Sequence, residues 1–268
     1  MEKIKVGFIG CGNMGGALAK AVNKSGLCDI MLADKDAEKA NALACETGGS
    51  VVSVEAIAKT AKYIFLGVKP QVMADLMNDI ADILKSRTDR FLLVTMAAGI
   101  KISALSGMIG AKLPTIRIMP NTPVAVGEGM ILYSLCPIIT ECEETEFLNI
   151  LKFSGKLDKL DETLIDAGCS ISGCGPAFVY MFAESMAKAG EELGLPKEKA
   201  IEYAAQTLLG AARLMLTSGK TPETLRQEVC SPKGSTIEGV MSLQNSDFEK
   251  NVKNALNASY KRTKELGK

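Results

Sequence analysis

The chain of 268 residues contains no histidine and no tryptophan, and its 31 basic side chains balance 31 acidic ones. Without histidine, Ser-His-Asp and Cys-His catalysis are excluded, so any proton transfer must use another side chain or water. The balanced charge provides no long-range field to attract nucleic acid or an acidic membrane. We therefore expect neither a nucleic-acid partner nor a membrane partner.

Long apolar runs are also missing from the sequence. No run reaches the roughly 18 residues that a bilayer-spanning helix needs. The first residues lack the separate basic, apolar and cleavage regions of a signal peptide. Both absences favour a cytoplasmic protein.

The cysteines form no C-x-x-C pair, and they stand at positions 11, 28, 45, 136, 142, 169, 174 and 230. A structural zinc site would have to gather its thiolates from irregular spacings, with no histidine available. We expect mostly buried, reduced thiols and no metal.

The most informative stretch is rich in glycine and begins at the third residue, reading KIKVGFIGCGNMGGALAKAV. Its apolar start, Ile4 to Ile9, predicts a buried strand, and apolar residues at helical spacing follow Gly15. Gly10, Gly12 and Gly15 between them have the spacing G-x-G-x-x-G. Strand, glycine turn and helix in this order predict a dinucleotide site, where the turn and the helix N-terminus hold a pyrophosphate. The alternative is a tight turn without a ligand.

Asp34 ends the second predicted strand, about 20 residues beyond Gly15, where an acidic side chain accepts a hydrogen bond from a ribose 2′-OH. This placement favours NADH over NADPH, because a carboxylate repels the 2′-phosphate. Lys35 is adjacent and is a candidate to pair with that phosphate instead. Asp34 as the start of an ordinary Asp-Lys-Asp turn is a third interpretation.

Short apolar strands alternate with helical patterns through the first 161 residues, which predicts an α/β domain with a doubly wound, mainly parallel sheet. Ligands bind outside the C-terminal strand ends of such sheets. Val68–Pro70 and Ala97–Gly99 occupy two of these ends, either to line the cofactor path or only to form turns. Met119–Pro123 predicts a stiff loop that fixes the amide of Asn121.

From Glu162 the pattern becomes helical, so we expect a Rossmann-like domain over 1–161 and an all-α domain over 162–268. The predicted helix Lys197–Thr217 is too apolar for a helix that buries one face only. Its second face is expected to pack against another subunit.

Near the end of the chain, Ser231 to Thr236 precede a short predicted helix. Backbone N–H groups at Gly234, Ser235 and Thr236, with two hydroxyls, are suited to a carboxylate. An ordinary Ser/Thr helix cap explains the same residues equally well.

Taken together, these motifs resemble the pyrroline-5-carboxylate reductase family over nearly the whole chain. The matching segments are GFIGCGNMG at 7–15, GVKP at 67–70, AAG at 97–99, MPNTP at 119–123, SGCGPA at 172–177 and VCSPKGSTI at 229–237. Their number and order make the resemblance far more specific than one glycine motif.

The resemblance implies reduction of L-1-pyrroline-5-carboxylate to L-proline with NADPH or NADH. It implies a helical domain that interlocks in a homodimer, and such dimers often assemble into decamers. The implied dinucleotide contacts are Ile9, Gly10, Cys11, Gly12, Asn13, Met14, Gly15, Gly67, Val68, Lys69, Pro70, Ala97, Ala98 and Gly99, with Asn121 near the nicotinamide.

On the substrate side, the resemblance implies that Ser231, Gly234, Ser235 and Thr236 cradle the carboxylate and ring. Thr236 would hydrogen-bond the ring nitrogen as the catalytic residue. Glu162 stands where the family places an acidic residue near the substrate.

The sequence departs from the family pattern at three places. Lys233 replaces a common glycine, Asp34-Lys35-Asp36 replaces a Ser or Arg-containing pattern, and Ser53-Val54-Glu55 replaces a common asparagine. These departures bear on cofactor choice and affinity more than on the type of reaction.

Two other functions remain open at this point. A 3-hydroxy acid dehydrogenase has a similar architecture, but its usual lysine is missing from Ala167–Val179. A non-catalytic nucleotide sensor would have no need of the SPKGST loop. A Tyr260-x-x-x-Lys264 pattern is typical of short-chain reductases, but it lies in a charged terminal helix and predicts a solvated face.

Overall fold

The computed structural model describes residues 3–267. Within them, one eight-stranded sheet has the order β3-β2-β1-β4-β5-β6-β7-β8. Its strands are β1 (Ile4–Ile9), β2 (Cys28–Ala33), β3 (Ser50–Val51), β4 (Tyr63–Leu66), β5 (Leu92–Thr95), β6 (Thr115–Met119), β7 (Gly129–Leu135) and β8 (Gly155–Lys159). Strands β6 and β7 pair antiparallel, whereas the other neighbours pair parallel. The predicted α/β, mainly parallel sheet is confirmed.

Helices follow most strands and then take over the chain. They are α1 (Asn13–Lys24), α2 (Ala37–Thr47), α3 (Val54–Thr60), α4 (Pro70–Ser86), α5 (Ile102–Ile109), α6 (Glu141–Ile150), α7 (Glu162–Ser172), α8 (Gly175–Glu192), α9 (Lys197–Thr217), α10 (Pro222–Glu228), α11 (Ser235–Asn245) and α12 (Phe248–Leu266). A 3-10 helix spans Thr122–Val126. The all-α character predicted for the C-terminal region is confirmed.

Continuous apolar strands give the sheet a core on each face. Phe8 and Phe65 belong to one core and stack with ring centroids 4.6 Å apart. Ile9 and Leu66 belong to the other core, beside α3 and α4. Because successive side chains of a strand point to opposite faces, the run from Val6 to Ile9 supplies both cores. Helices must therefore cover both faces, as they do in a doubly wound fold.

The strand order reverses between β1 and β4. The chain runs outward from β1 through β2 to β3, then crosses back to place β4 on the other side of β1. Open sheets of this kind bind ligands at such a switch point, beyond the carboxyl ends of the strands. Gly10 and Gly67 follow β1 and β4 directly, so both lie at the switch point.

The sequence prediction missed two elements and placed the start of a third too late. Helix α5 and strand β8 were not predicted, because α5 is short and β8 carries three lysines or aspartates among five residues. Helix α11 begins at Ser235, two residues earlier than predicted. Ser235 and Thr236 are thus its first turn rather than the loop before it.

The described chain divides into two compact units, 3–174 with 259–267, and Gly175–Ala258. The second unit contains α8 to α11 with the first part of α12, and it leaves many large apolar side chains exposed, including Tyr180, Met181, Leu209 and Leu216. Among residues 3–267, no helix combines the length and the apolar character that crossing a bilayer requires.

Candidate functional site

The glycine turn after β1 is built around close backbone contacts. Gly10 has a φ of 105°, a left-handed conformation that favours glycine. A Cβ atom on Gly15 would lie 2.1 Å from the carbonyl oxygen of Gly10, so the helix approaches the turn closely. A Cβ on Gly12 would meet no atom within 4 Å. The first and third glycines therefore form the turn, and the second leaves open space beside the backbone.

The N-terminus of α1 faces this open space with unsatisfied donors. Gly12 is the N-cap and supplies no side-chain hydrogen bond, and no acidic residue stands in the first turn. Gly12 and Asn13 are exposed. The first N–H groups of a helix have no intrahelical acceptor, and the helix dipole favours an anion there. This cradle fits the pyrophosphate of a dinucleotide.

Asp34 follows β2 and its carboxylate is tied to the glycine turn. Oδ2 accepts a hydrogen bond from the Cys11 N–H at 2.6 Å, and Oδ1 accepts one from the Asp36 N–H at 2.9 Å. Asp36 in turn caps α2 through its side chain and pairs with Lys39 at 3.2 Å. The carboxylate is therefore fixed at the end of β2, where the ribose of a dinucleotide is expected, and Lys35 beside it is exposed.

Cys11 is buried within the turn. Burial, and to a smaller extent the neighbouring Asp34 carboxylate, raise the pKa of its thiol to about 11. Its Sγ lies 3.6 Å from the Ala33 carbonyl oxygen. A thiol with such a pKa stays protonated near neutral pH, so Cys11 packs and does not act as a nucleophile.

The segment after β4 lies against the glycine turn. A Cβ atom on Gly67 would lie 2.8 Å from the Gly10 carbonyl oxygen, and one on Gly10 would lie 2.6 Å from that of Gly67. Lys69 is the exposed N-cap of α4, and Pro70 occupies the first turn. Val68–Pro70 therefore lies at the switch point, as predicted from its position at a strand end, and Gly67 lies there too because β4 ends at Leu66.

The segment after β5 is held from two sides. Gly99 has a φ of 78°, and a Cβ atom there would lie 2.5 Å from the backbone nitrogen of Gly267, just after α12. At the other end, Ile102 donates its N–H to the Glu162 Oε1 at 2.7 Å. Ala97 is buried and Ala98 half-buried. Ala97–Gly99 is thus anchored at the same edge of the sheet as the glycine turn.

Asn121 ties together the loop that follows β6. Its Nδ2 donates to the Ser172 carbonyl at 2.9 Å, and its Oδ1 accepts from the Met130 N–H at 2.8 Å. The following 3-10 helix packs against α1. The fixed amide predicted from the two prolines is present, and its contacts tie the loop to the end of α7 and the start of β7.

Glu162 begins α7 and lies beside a buried arginine that the sequence reasoning missed. Arg117 of β6 is 0 % exposed, and its Nη2 lies 2.5 Å from the Asp166 Oδ1. Its Nη1 lies 3.6 Å from the Glu162 Oε1. The signal in the sequence is an arginine between isoleucines in a predicted core strand, since a buried charge needs a partner.

The segment Ser231–Thr236 belongs to the second unit and includes the first two residues of α11. Gly234 is the N-cap of α11 and supplies no side-chain hydrogen bond. A Cβ atom on Gly234 would lie 2.4 Å from the Ser231 Oγ. Ser231, Ser235 and Thr236 are exposed. The loop therefore presents backbone donors and hydroxyls in one place, which suits a carboxylate.

The cysteines are less buried than predicted. Four are buried, two are half-buried (Cys174 and Cys230), and two are exposed (Cys45 and Cys142); all eight are free thiols. The expectation of mostly buried thiols thus holds for half of them. Within residues 3–267, no group of three His, Cys, Asp or Glu side chains is arranged to hold a metal ion.

Two family models match the chain. Residues 162–266 match the pyrroline-5-carboxylate reductase dimerisation family, and residues 5–99 match the coenzyme F420-dependent NADP oxidoreductase family. The first match covers the helical region and the second covers the glycine turn with the strands around it.

Known proteins are similar over the full length. Pyrroline-5-carboxylate reductase from Escherichia coli (strain K12) is 35 % identical, with all of both chains covered. Pyrroline-5-carboxylate reductase 3 from Danio rerio is 38 % identical, covering 99 % of this chain and 92 % of that protein. The crystal structure of Plasmodium falciparum pyrroline carboxylate reductase with NADP bound is 30 % identical, covers all of both chains and has a TM-score of 0.88.

The sheet, the glycine turn and the order of the later motifs agree with these matches. Identity of this size over complete chains, with the same fold, is shared ancestry rather than a common architecture alone. The chain belongs to the pyrroline-5-carboxylate reductase family.

Proposed function

We propose that this protein reduces L-1-pyrroline-5-carboxylate to L-proline with NADH or NADPH, the last step of proline biosynthesis. The observation that carries the proposal is full-length membership of the family together with a glycine turn built to hold a dinucleotide. The protein is accordingly an NAD(P)-dependent oxidoreductase that acts on a carbon–nitrogen double bond.

The nucleotide is proposed to lie along the carboxyl edge of the sheet. Its pyrophosphate is assigned to the turn and the start of α1, its ribose to Asp34 and Lys35, and its nicotinamide to the region of Asn121. The contacting residues are Ile9, Gly10, Cys11, Gly12, Asn13, Met14, Gly15, Gly67, Val68, Lys69, Pro70, Ala97, Ala98 and Gly99. Their placement at adjacent strand ends supports this assignment.

The substrate carboxylate is proposed to bind the N-terminus of α11. Ser235 and Thr236 offer N–H groups without intrahelical acceptors, and Ser231 adds a hydroxyl. The Gly234 N–H, expected from the sequence to be a further donor, is instead donated to the Ser231 carbonyl oxygen at 3.0 Å, so Gly234 contributes a backbone without a Cβ atom to this site. Glu162 is retained as a substrate contact through Oε2, because Oε1 is the atom that faces both Ile102 and Arg117.

The chemistry needs no strong acid from the protein. A bound reduced nicotinamide supplies the hydride, and the cyclic imine is basic enough to be partly protonated near neutral pH. Hydride addition to the imine carbon and a proton on the ring nitrogen give the amine of proline. The side chains therefore fix the carboxylate and orient the ring, and Thr236 is proposed to hold the ring nitrogen and help deliver its proton through water. The absence of histidine agrees with a mechanism in which side chains position the substrate and no strong protein acid is needed.

Asp34 leads us to propose a preference for NADH. Its carboxylate is fixed at the end of β2, so a 2′-phosphate there would meet a negative charge. Initial rates with NADH and NADPH, measured in parallel at matched concentrations, test the preference. A higher kcat/KM for NADPH would refute it.

The assembly and location belong to the same proposal. The helical region matches a dimerisation family, so the protein is a homo-oligomer. We propose that two copies form a homodimer through residues 162–268. Residues 1–161 are then the nucleotide-binding domain. The change of pattern at Glu162 supports that boundary, and a decamer of such dimers is the larger form proposed. Free thiols at all eight cysteines support a reducing, cytoplasmic location.

Replacement of Thr236 tests the reaction and the assigned role together. Thr236→Ala is expected to lower kcat/KM for pyrroline-5-carboxylate about 100-fold, within the range for general acid–base groups. Thr236→Ser keeps the hydroxyl and is the matched control, expected to retain most of the activity. Wild-type rates in Thr236→Ala would refute the role of the threonine. Failure of the wild-type protein to oxidise NADH or NADPH on addition of the substrate would refute the function and favour a nucleotide sensor.

A further inference from the structure

Arg117 is a buried cation whose role the proposed reaction leaves unexplained. It lies in β6 between Ile116 and Ile118, and its side chain reaches α7, where Glu162 and Asp166 are one helical turn apart. Its Nη2 is 2.5 Å from the Asp166 Oδ1. The guanidinium therefore joins the sheet to α7.

The arginine is incompletely paired. Within the described chain, Nε and Nη1 are buried without a hydrogen-bond partner. Nη1 lies 3.6 Å from the Glu162 Oε1, which is too long for a hydrogen bond. A buried donor without an acceptor is costly, so stability alone does not explain why an arginine occupies this core position.

The Glu162 carboxylate is held slightly away from Arg117 by a better contact. Its Oε1 accepts the Ile102 N–H at 2.7 Å, across 60 residues of sequence. Ile102 is the first residue of α5, and the N-cap Lys101 provides no side-chain hydrogen bond. Glu162 thus caps α5 from a neighbouring helix and also places negative charge at its N-terminus.

The capped end of α5 directly follows the segment assigned to the nucleotide. Ala97–Gly99 lies between the end of β5 and the start of α5, so fixing Ile102 limits the positions that this segment can take. The contact of Gly99 with Gly267 restrains the same segment from the opposite side. Loss of the Glu162 contact would leave only one of the two restraints.

We propose that Arg117 and Glu162 are positioning residues for the nucleotide-binding segment Ala97–Gly99. Arg117 sets α7 against β6 through Asp166, which places Glu162 to cap α5 at Ile102. The segment is then pre-organised before the nucleotide binds. This inference rests on the proposed function only in assigning Ala97–Gly99 to the nucleotide.

The main test compares Glu162→Ala with Glu162→Gln by hydrogen exchange and by nucleotide binding. Glu162→Ala removes the acceptor, so amide exchange at Ile102 should accelerate about tenfold or more, the size expected for a hydrogen bond to a charged group. The dissociation constant for NADH or NADPH should rise several-fold in the same variant. Glu162→Gln keeps an acceptor oxygen, so both effects should be smaller. Binding is read from nicotinamide fluorescence, which no tryptophan obscures.

Arg117→Met extends the test to the arginine. It removes the cation from both carboxylates, so exchange at Ile102 should accelerate as in Glu162→Ala. Arg117→Lys keeps a positive charge, so its exchange rate at Ile102 should lie between those of Arg117→Met and the wild type. The matched control is Asp82→Ala, because Asp82 is an exposed carboxylate on α4 whose ion pair within residues 3–267 is with Lys85; the substitution should leave amide exchange at Ile102 and nucleotide binding unchanged.

The outcomes separate this proposal from its alternatives. Unchanged exchange at Ile102 in Glu162→Ala would overturn it. A raised KM for the imine substrate with unchanged nucleotide binding would also overturn it, since Glu162 would then act only by touching the substrate. If the wild-type protein fails to reduce pyrroline-5-carboxylate, the proposed function falls, but the exchange and nucleotide-binding measurements still decide the positioning role.

Discussion

At the scale of single residues, Lys233 departs from the family pattern in a way that affects its backbone conformation. A lysine in place of a glycine adds a charge beside the carboxylate loop. The structure gives Lys233 a φ of 61°, a left-handed conformation that side chains with a Cβ rarely adopt. The glycine common in the family would adopt this conformation without strain. The backbone is therefore affected at this position as well as the charge.

Lys233→Gly is expected to stabilise the protein by up to about 1 kcal/mol, because the left-handed strain is removed while the unfolded chain gains some entropy. Lys233→Ala is the matched control, since it removes the charge but keeps the Cβ atom. Thermal unfolding of the two variants checks the prediction. Equal stabilisation by glycine and alanine would show that charge, rather than backbone strain, is the cause.

Residue identities were predicted from the sequence more completely than their contacts. Asp34 and the three glycines were identified because the order of strand, turn and helix determines where they lie. The bond from the Cys11 N–H to Asp34 joins residues far apart in sequence, and no local pattern encodes it. Arg117 was missed for the same reason, because its partners lie on α7, about 50 residues later.

At the scale of elements, α6 is fixed at its start by a charged network. Thr140 and Glu143 form a capping box, in which each side chain bonds the backbone N–H of the other. Arg90 adds a bidentate contact to Glu143, at 2.6 and 2.9 Å. Hydrogen bonds from Arg90, the largest cause, and from Thr140 lower the pKa of the Glu143 carboxyl from 4.5 to about 2. The carboxylate form is thus part of the folded structure.

The lowered pKa predicts a loss of stability in acid. Glu143 contributes fully above its unfolded pKa of 4.5, and the contribution disappears as pH falls through about 2. Glu143→Gln should therefore lower the melting temperature at pH 6 and flatten its dependence between pH 5 and 2. Glu141→Gln, in the same helical turn, is the control, since Glu141 forms no ion pair among the described residues. An unchanged pH profile in Glu143→Gln would contradict the prediction.

Helices and strands were predicted correctly from the sequence where their apolar pattern extends over many residues. Helix α9 was placed to the residue, because its apolar residues recur along 21 positions. Strand β8 was missed because it is an edge strand with charged side chains, and only its pairing with β7 defines it. Helix α5 was missed because its N-terminal cap comes from Glu162 on another element.

At the scale of the whole molecule, the helical unit exposes more apolar surface than a soluble monomer usually does. In α9, Leu209 is 58 % exposed and Leu216 is 79 % exposed. Exposed apolar patches of this kind mark protein interfaces. The match of this region to a dimerisation family supports the proposal that copies of the chain associate through it.

Leu209→Asp is expected to weaken self-association, because a carboxylate would be buried without a partner in the subunit interface. Sedimentation velocity should show a shift toward monomer at micromolar concentration, with a lower melting temperature that depends on protein concentration. Leu27→Asp is the matched control, since Leu27 is also an exposed leucine but lies in the other unit. An unchanged oligomer in Leu209→Asp would exclude this face from the interface.

The contact between Gly10 and Gly67 limits how the cofactor preference of this protein could change. A side chain on either residue would strike the backbone of the other, so the two alanine substitutions could not compensate for each other. We therefore expect selection for a different nucleotide, in nature or in the laboratory, to leave both glycines unchanged. Variation is left to Asp34, Lys35 and Asp36, where no backbone clash limits the side chain. Exchange of Asp34 removes the acceptor for the Cys11 N–H, and exchange of Asp36 removes the cap of α2. Libraries for altered cofactor use should randomise these positions and keep both glycines.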